Sequence, residues 1–263
     1  MTEKTNLLGV DFLPVDLDAA MQHVVHHVPG KNGDFFCLCN IHIAMECYKD
    51  YGLRDIINQS AANFPDGKGL VMGLSILGHH LDFKVRGTDL MLKLCAYAAE
   101  NGLKIFLYGD TEENLVKLKR KLGDLFPGIE IAGAISPPFR ELTEDEDEEY
   151  VKIINDAHPN ILFVSLGAPK QERWMAAHKG KVNTVQVGVG AAFDFIIGEI
   201  KQAPLWMQRM PLEWLHRMPQ QPKKTFIRML VVPKFFFLVF LQLLIHRFHR
   251  LHGLDNNERR KDL

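Results

Sequence analysis

The residues of this chain that could do chemistry lie in short polar stretches, and most of those stretches directly follow an apolar run. In Asn63-Phe-Pro-Asp-Gly-Lys-Gly69 one carboxylate, Asp66, sits on a Pro/Gly loop ahead of an apolar helical stretch. A loop carboxylate there could act as a general base, although a turn residue or a cap is the simpler role on spacing alone. Arg86 opens a second polar turn, Arg86-Gly-Thr-Asp89, and its guanidinium fork suits a phosphate. Asn40 follows the run Phe35–Cys39, where its amide could orient a sugar hydroxyl or hold a turn. The run Ile161–Leu166 leads into Gly167-Ala-Pro-Lys-Gln-Glu-Arg-Trp174. There glycine permits close backbone approach and Pro169 suits a first helical turn. Lys170 and Gln171 stand beside the free N–H groups of a helix start, which attract anions.

Other stretches narrow the chemistry. Val187-Gly-Val-Gly-Ala-Ala-Phe-Asp194 imitates a dinucleotide fingerprint, but Phe193 occupies the place of the third glycine and the stretch comes late in the chain. That argues against a nicotinamide enzyme, such as a nucleotide-sugar oxidoreductase or epimerase. Asp194 is expected either to cap a helix or to contact a ligand. Asp16-Leu-Asp18 and Asp145-Glu-Asp147 resemble Asp-x-Asp metal sites, yet the first reads as a helix cap and the second as part of a solvated acidic run. No metal and no cofactor is expected. Cys37 and Cys39 would share one face of a strand, and the four cysteines have neither zinc nor redox spacing. They read as buried free thiols of a reducing cytoplasm.

The elements that must position these residues alternate. Strand-like runs are expected at Phe35–Cys39, Lys104–Tyr108, Ile129–Ala132, Ile161–Ser165 and Thr184–Val189. Helical stretches are expected at Asp89–Glu100 after a Thr88 cap, at Glu112–Leu125, at Asp145–Ala157 after a Thr143 cap, and at Lys170–His178. This alternation implies an α/β fold, Rossmann-like, with a mostly parallel sheet covered by helices on both faces. Ligands of such sheets bind beyond the carboxyl ends of the strands, where the polar stretches fall.

Charge divides the chain. Residues 201–263 hold 12 Lys/Arg against 4 Asp/Glu, an excess of +8, and so the remaining 19 Lys/Arg and 28 Asp/Glu give residues 1–200 an excess of −9. The expected organisation is an α/β core over 1–200 and a basic, apolar, helical appendage over 201–263. Phe235–Ile245 is the densest apolar run, and basic charge beside it suits an anionic membrane surface rather than nucleic acid. Lys234, Gln242, His246, His249 and Arg250 fall along one side of a helix starting near Pro233, a polar stripe that predicts a helix lying in the interface. The chain is therefore expected in the cytoplasm, peripheral on the inner face of the cell membrane. Homo-oligomer formation is left open.

Taken together, Phe64-Pro-Asp-Gly-Lys-Gly69, Val85–Met91, Phe106-Leu-Tyr-Gly109, Leu166–Trp174, Gly188–Asp194 and Ala203–Arg217 resemble the WecG/TagA/CpsF family of bacterial glycosyltransferases, from about Leu7 to Arg228. The resemblance implies an inverting, metal-independent transfer of a sugar from a UDP-sugar to a polyprenyl-diphosphate-linked sugar in cell-surface polysaccharide synthesis. The sugar would be N-acetylmannosamine, its uronic acid or a hexose. It implies Asp66 as general base, Asn40, Arg86 and Gln171 as site residues, and Arg217 as a cation near the leaving diphosphate. Without a metal, that charge would fall to Arg86, Lys170, Arg209 and Arg217. Leu38 and Gln202 depart from the family pattern, where threonine and arginine are usual, as does Lys224. These departures bear on the sugar used more than on the reaction. A non-catalytic membrane scaffold that kept the fold is the alternative.

Overall fold

The computed structural model describes residues 3–30, 32–79, 85–204, 207, 213–220 and 222–252; of Glu213, Arg217, Lys223, Lys224, Arg250 and Leu251 it describes the backbone only. The chain opens with a small antiparallel hairpin, β1 (Thr5–Leu7) and β2 (Val10–Phe12), followed by α1 (Leu17–His27). Asp16 caps α1 as expected, its carboxylate accepting from the Ala19 N–H at 2.8 Å. The main sheet then begins with β3 (Phe35–Cys39), leading through α2 (Ile41–Lys49) and α3 (Tyr51–Asn58) to β4 (Ala62–Pro65) and α4 (Lys68–Ile76). The second half alternates regularly: α5 (Gly87–Asn101), β5 (Lys104–Gly109), α6 (Glu112–Leu125), β6 (Glu130–Ile135), α7 (Glu144–Asp156), β7 (Ile161–Ser165), α8 (Lys170–Ala177), β8 (Val185–Gly188) and α9 (Ala192–Ile197).

The six strands β3–β8 form one sheet in the order β4-β3-β8-β7-β5-β6, every pair parallel. Alternation along each strand sends side chains to two opposite cores. From β3, Phe36 and Leu38 join α1, α5, α6 and α9 on one side. Phe35, Cys37 and Cys39 join α2, α3, α4, α7 and α8 on the other. The two cysteines therefore do share a face, and all four thiols are buried and free.

Local chemistry sets the element ends. Thr143 and Glu146 form a reciprocal capping box at the acidic start of α7, where carboxylates also favour the helix dipole. Gly102 closes α5 in the left-handed region at φ 63°. Two expectations need correcting. Helix α5 begins at Gly87 rather than Asp89, and Thr88 is buried inside it instead of capping it. Gly87 lies so close to the Val189 carbonyl that a Cβ there would meet its oxygen at 2.5 Å, so the glycine allows the helix to start early against β8.

The appendage is helical: α10 (Glu213–Arg217), α11 (Pro222–Leu230) and α12 (Val232–Leu251). The stretch Thr225–His249 is long and apolar enough to cross a membrane. Yet one face of α12 is docked on the protein. Phe235 and Val239 are fully buried in the core beside α4 and the hairpin, and Gln242 is 1% exposed. The expected polar stripe is thus corrected at Gln242. Its amide is turned inward, where it satisfies two backbone groups of the hairpin, because a buried amide needs partners and the hairpin turn supplies both. Phe237, Phe240, Leu244 and Phe248, spaced along another face, remain exposed.

Candidate active site

A cavity of about 500 Å³ runs along the carboxyl edge of the sheet. It is lined by Asn40, Asp66, Arg86, Lys170, Gln171 and Asp194, which the sequence places up to 154 residues apart (40 to 194). Asn40 and Asp66 directly follow β3 and β4, Arg86 is the N-cap residue of α5, Lys170 and Gln171 open the helix after β7, and Asp194 lies on the helix after β8. Asp66 follows β4 at one sheet edge; its N–H donates to the Cys39 carbonyl at 2.8 Å, tying the loop to β3. Gly67, at φ 88°, then turns the chain into α4.

Asn40 follows β3 and caps α2, its Oδ1 accepting from the His42 and Ile43 N–H groups at 3.0 and 3.3 Å. The turn-holding role and the place in the cavity wall are both real for this residue. Arg86 lines the wall too, but its fork is engaged: Nε and Nη2 donate to the two carboxylate oxygens of Asp89 at 2.7 and 2.6 Å. This bidentate pair fixes the guanidinium plane.

The turn after β7 differs from expectation in one detail. Pro169, preceded by a cis peptide bond, is the N-cap residue of α8 rather than its first helical residue. Lys170 is exposed at the mouth. Gln171 is 2% exposed, its Nε2 donating to Glu172 Oε1 at 2.9 Å and its Oε1 accepting from the Gly190 N–H at 3.1 Å. Trp174 faces away from the site and stacks between Tyr108 and His178, with ring centroids 4.4 and 4.0 Å apart. Asp194 lies inside α9, whose N-cap is Ala191, and so it is a wall residue and not a cap.

Two predicted cations are not placed. Arg209 lies outside the described residues, and of Arg217 only the backbone, at the end of α10, is described. The wall also contains residues that sequence reasoning missed: Thr88, Asp110, Ser165, Phe139, Gln220 and Arg228. Asp110 carried a signal, since it directly follows β5 as Asn40 follows β3. Arg228 carried none, because only the fold of α11 brings it to the cavity. Burial and then the nearby Arg228 charge hold the His42 imidazole below its usual pKa, which places the Arg228 cation near the start of α2. Leu38 and Gln202, the two departures from the family pattern, both line this wall.

An open parallel sheet whose strand ends converge on a polar cavity is the site class of α/β enzymes and binding proteins that hold nucleotides or their sugars at that edge. The profile of the WecG/TagA/CpsF glycosyl transferase family matches residues 5–249, and the chain belongs to that family. It is similar to N-acetylglucosaminyldiphosphoundecaprenol N-acetyl-β-D-mannosaminyltransferases from several bacteria. The Bacillus subtilis (strain 168) protein is 31% identical over 211 residues, 80% of each chain. That of Bacillus spizizenii is 28% identical over 86% of each chain. That of Staphylococcus aureus (strain NCTC 8325) is 30% identical over 82% of this chain and 86% of its own.

Proposed function

We propose that this chain transfers N-acetylmannosamine, with inversion, from a UDP-linked donor to the N-acetylglucosamine of a polyprenyl-diphosphate acceptor, a step in cell-surface polymer synthesis. The observation that carries this reading is the convergence of Asp66, Asn40, Arg86, Lys170 and Asp194 on one cavity, in a chain similar to transferases of that name.

Asp66 is the base. It takes the proton of the acceptor hydroxyl as that oxygen attacks the anomeric carbon from the face opposite the diphosphate. The new glycosidic C–O bond forms while the old one breaks, and its electron pair leaves with UDP. Positive charge develops at the anomeric centre and negative charge on the departing diphosphate. Lys170 and Arg228 in the cavity wall, with Arg209 and Arg217 of the appendage, are the cations suited to stabilise the leaving group, and Arg86 is held in plane by Asp89. The five inter-strand steps separating β4 from β6 span about 24 Å, so an extended nucleotide-sugar could lie along the edge with its reacting sugar toward Asp66.

The exposed face of α12 fits a lipid-linked acceptor. Phe237, Phe240, Leu244 and Phe248, with Phe226 and Leu230 of α11, would rest in the membrane interface, peripheral on the cytoplasmic face. Docking of Phe235, Val239 and Gln242 on the core favours this over a free span.

The test is to incubate the pure full-length chain with UDP-N-acetylmannosamine and a short-chain N-acetylglucosaminyl-diphospho-lipid. Acceptor-dependent UDP release and a β-linked disaccharide are expected. Absence of acceptor-dependent release with any UDP-N-acetylhexosamine would overturn the reading and favour a non-catalytic scaffold.

A further inference from the structure

Beneath the cavity, and outside its lining, lies a carboxyl group with no assigned part in the transfer. Glu172 is fully buried, with the cysteine-bearing face of β3 and α2 beside it. Its Oε1 accepts from Gln171 Nε2 at 2.9 Å, and its Oε2 has no hydrogen-bond partner among the described residues. Gln171 passes this contact on, because its own Oε1 accepts from the Gly190 N–H. The Gly190 carbonyl in turn accepts from Ser165 Oγ at 2.6 Å. Both sides of one peptide segment in the cavity wall, between β8 and α9, are therefore held by side chains from β7 and α8.

We propose that Glu172 is a positioning residue: by selecting one orientation of the Gln171 amide it fixes the Gly190 segment against which the donor binds. The physical reason lies in the shape of glutamine. An amide is nearly symmetric in outline, so packing alone does not distinguish its oxygen from its nitrogen. In the flipped orientation the NH₂ group would face the Gly190 N–H, donor against donor, and the amide oxygen would face Glu172. A buried acceptor at Oε1 removes that alternative. Burial raises the Glu172 pKa, while the Gln171 amide beside it acts in the opposite sense. Space is equally selective. A Cβ on Gly188 would meet Gln171 Nε2 at 3.0 Å and Met175 at 2.6 Å, so the amide lies close against the end of β8.

The donor part of this proposal rests on the proposed function, whereas the relay itself does not. Two readouts keep them apart. Hydrogen exchange at the Gly190 N–H reports the relay whatever the ligand, and titration with UDP reports the donor site. Glu172→Met keeps the volume but removes the acceptor. Exchange at Gly190 is expected to accelerate and UDP binding to weaken roughly tenfold, with the melting curve still cooperative. Glu172→Gln returns an oxygen to the same place and should restore both. In the background of Gln171→Leu, either change at 172 should have no further effect, since the two side chains act as one unit.

Unchanged Gly190 exchange in a folded Glu172→Met protein would overturn the proposal. So would additive effects of the two positions. If the Met variant fails to fold, Glu172→Gln alone decides: a tenfold loss of UDP affinity in that folded variant refutes a role as simple acceptor. Parent protein that shows a protected Gly190 but no UDP binding would refute the proposed function and leave the relay standing.

Discussion

Gln242 is joined to Leu8 across nearly the whole chain: its Oε1 accepts the buried Leu8 N–H at 3.0 Å while its Nε2 donates to the adjacent Asn6 carbonyl at 3.0 Å. An amide used this way completes the hairpin turn as a further strand would. It also anchors the apolar helix to the same side of the molecule as α4, the helix that follows Asp66. Phe235 packs on that helix at Gly73, where a Cβ would lie 2.8 Å from the ring. One face of α12 is therefore packed into the core through Phe235, Val239 and Gln242.

Gln242→Leu should leave the Leu8 N–H buried and unsatisfied. A loss of stability of about 1–3 kcal/mol is expected from chemical denaturation, with the fold retained. An unchanged midpoint would mean that water replaces the amide.

Deleting residues 229–263 would strip Phe235, Val239 and Gln242 from the core, so the shortened chain should be unstable or aggregate. A cleaner test of membrane attachment replaces Phe237, Phe240 and Phe248 by serine. These side chains are exposed, and the protein should keep its melting temperature while losing most of its binding to anionic vesicles. High salt should weaken binding of the parent chain without abolishing it, since screening does not act on apolar burial. Complete release by salt alone would refute an inserted apolar face.

Asp66→Asn should lower turnover by roughly 10²–10⁴-fold, the usual contribution of a general base, with UDP binding nearly unchanged. Near-parental turnover of the pure variant would remove Asp66 from that role.

Arg228→Ala should reduce turnover more than it weakens UDP binding, because a cation beside the diphosphate matters most as charge develops there. Arg217→Ala should behave similarly, on the family resemblance. Loss of vesicle binding with full turnover on a short-chain acceptor would identify either arginine as a lipid contact.

The thiols should be inert in the folded chain. Burial, followed by the nearby Glu172, pushes Cys47 up to about 12, and burial raises Cys37, Cys39 and Cys95 as well. At pH 8 the thiolate fraction of Cys47 is then only about 10⁻⁴. Iodoacetamide should modify none of the four until the protein is denatured, as mass spectrometry would show. Rapid labelling of the native protein would mean that this core opens readily.

Much of the sheet was legible because its signals are local. The apolar runs at Phe35–Cys39 and Ile161–Ser165 are strands with those bounds, and Glu112–Leu125 is a helix with those bounds behind its Thr111 cap. The charged helix at 144–156 announced itself through the Thr143 cap and its acidic first turn, one residue earlier than the expected start at Asp145. Strand β4 was less visible, since it is only four residues long and ends in Pro65. The polar stretches after strands named Asp66, Asn40, Lys170, Gln171 and Asp194, because a parallel sheet sends such loops to one edge whatever its strand order, and Arg86 was named by its own polar turn ahead of α5.

Strand order, partnership and facing were decided only by the tertiary structure. Sequence spacing cannot say that β8 inserts between β3 and β7, which brings the Gly190 peptide to Gln171. Nor can it show that Asp89 occupies the fork of Arg86, or that Gln242 turns inward while Phe237 stays outside. Periodicity along one helix fixes which residues share a face. What lies opposite that face depends on contacts between segments more than two hundred residues apart, and the pattern of either segment alone contains no record of them.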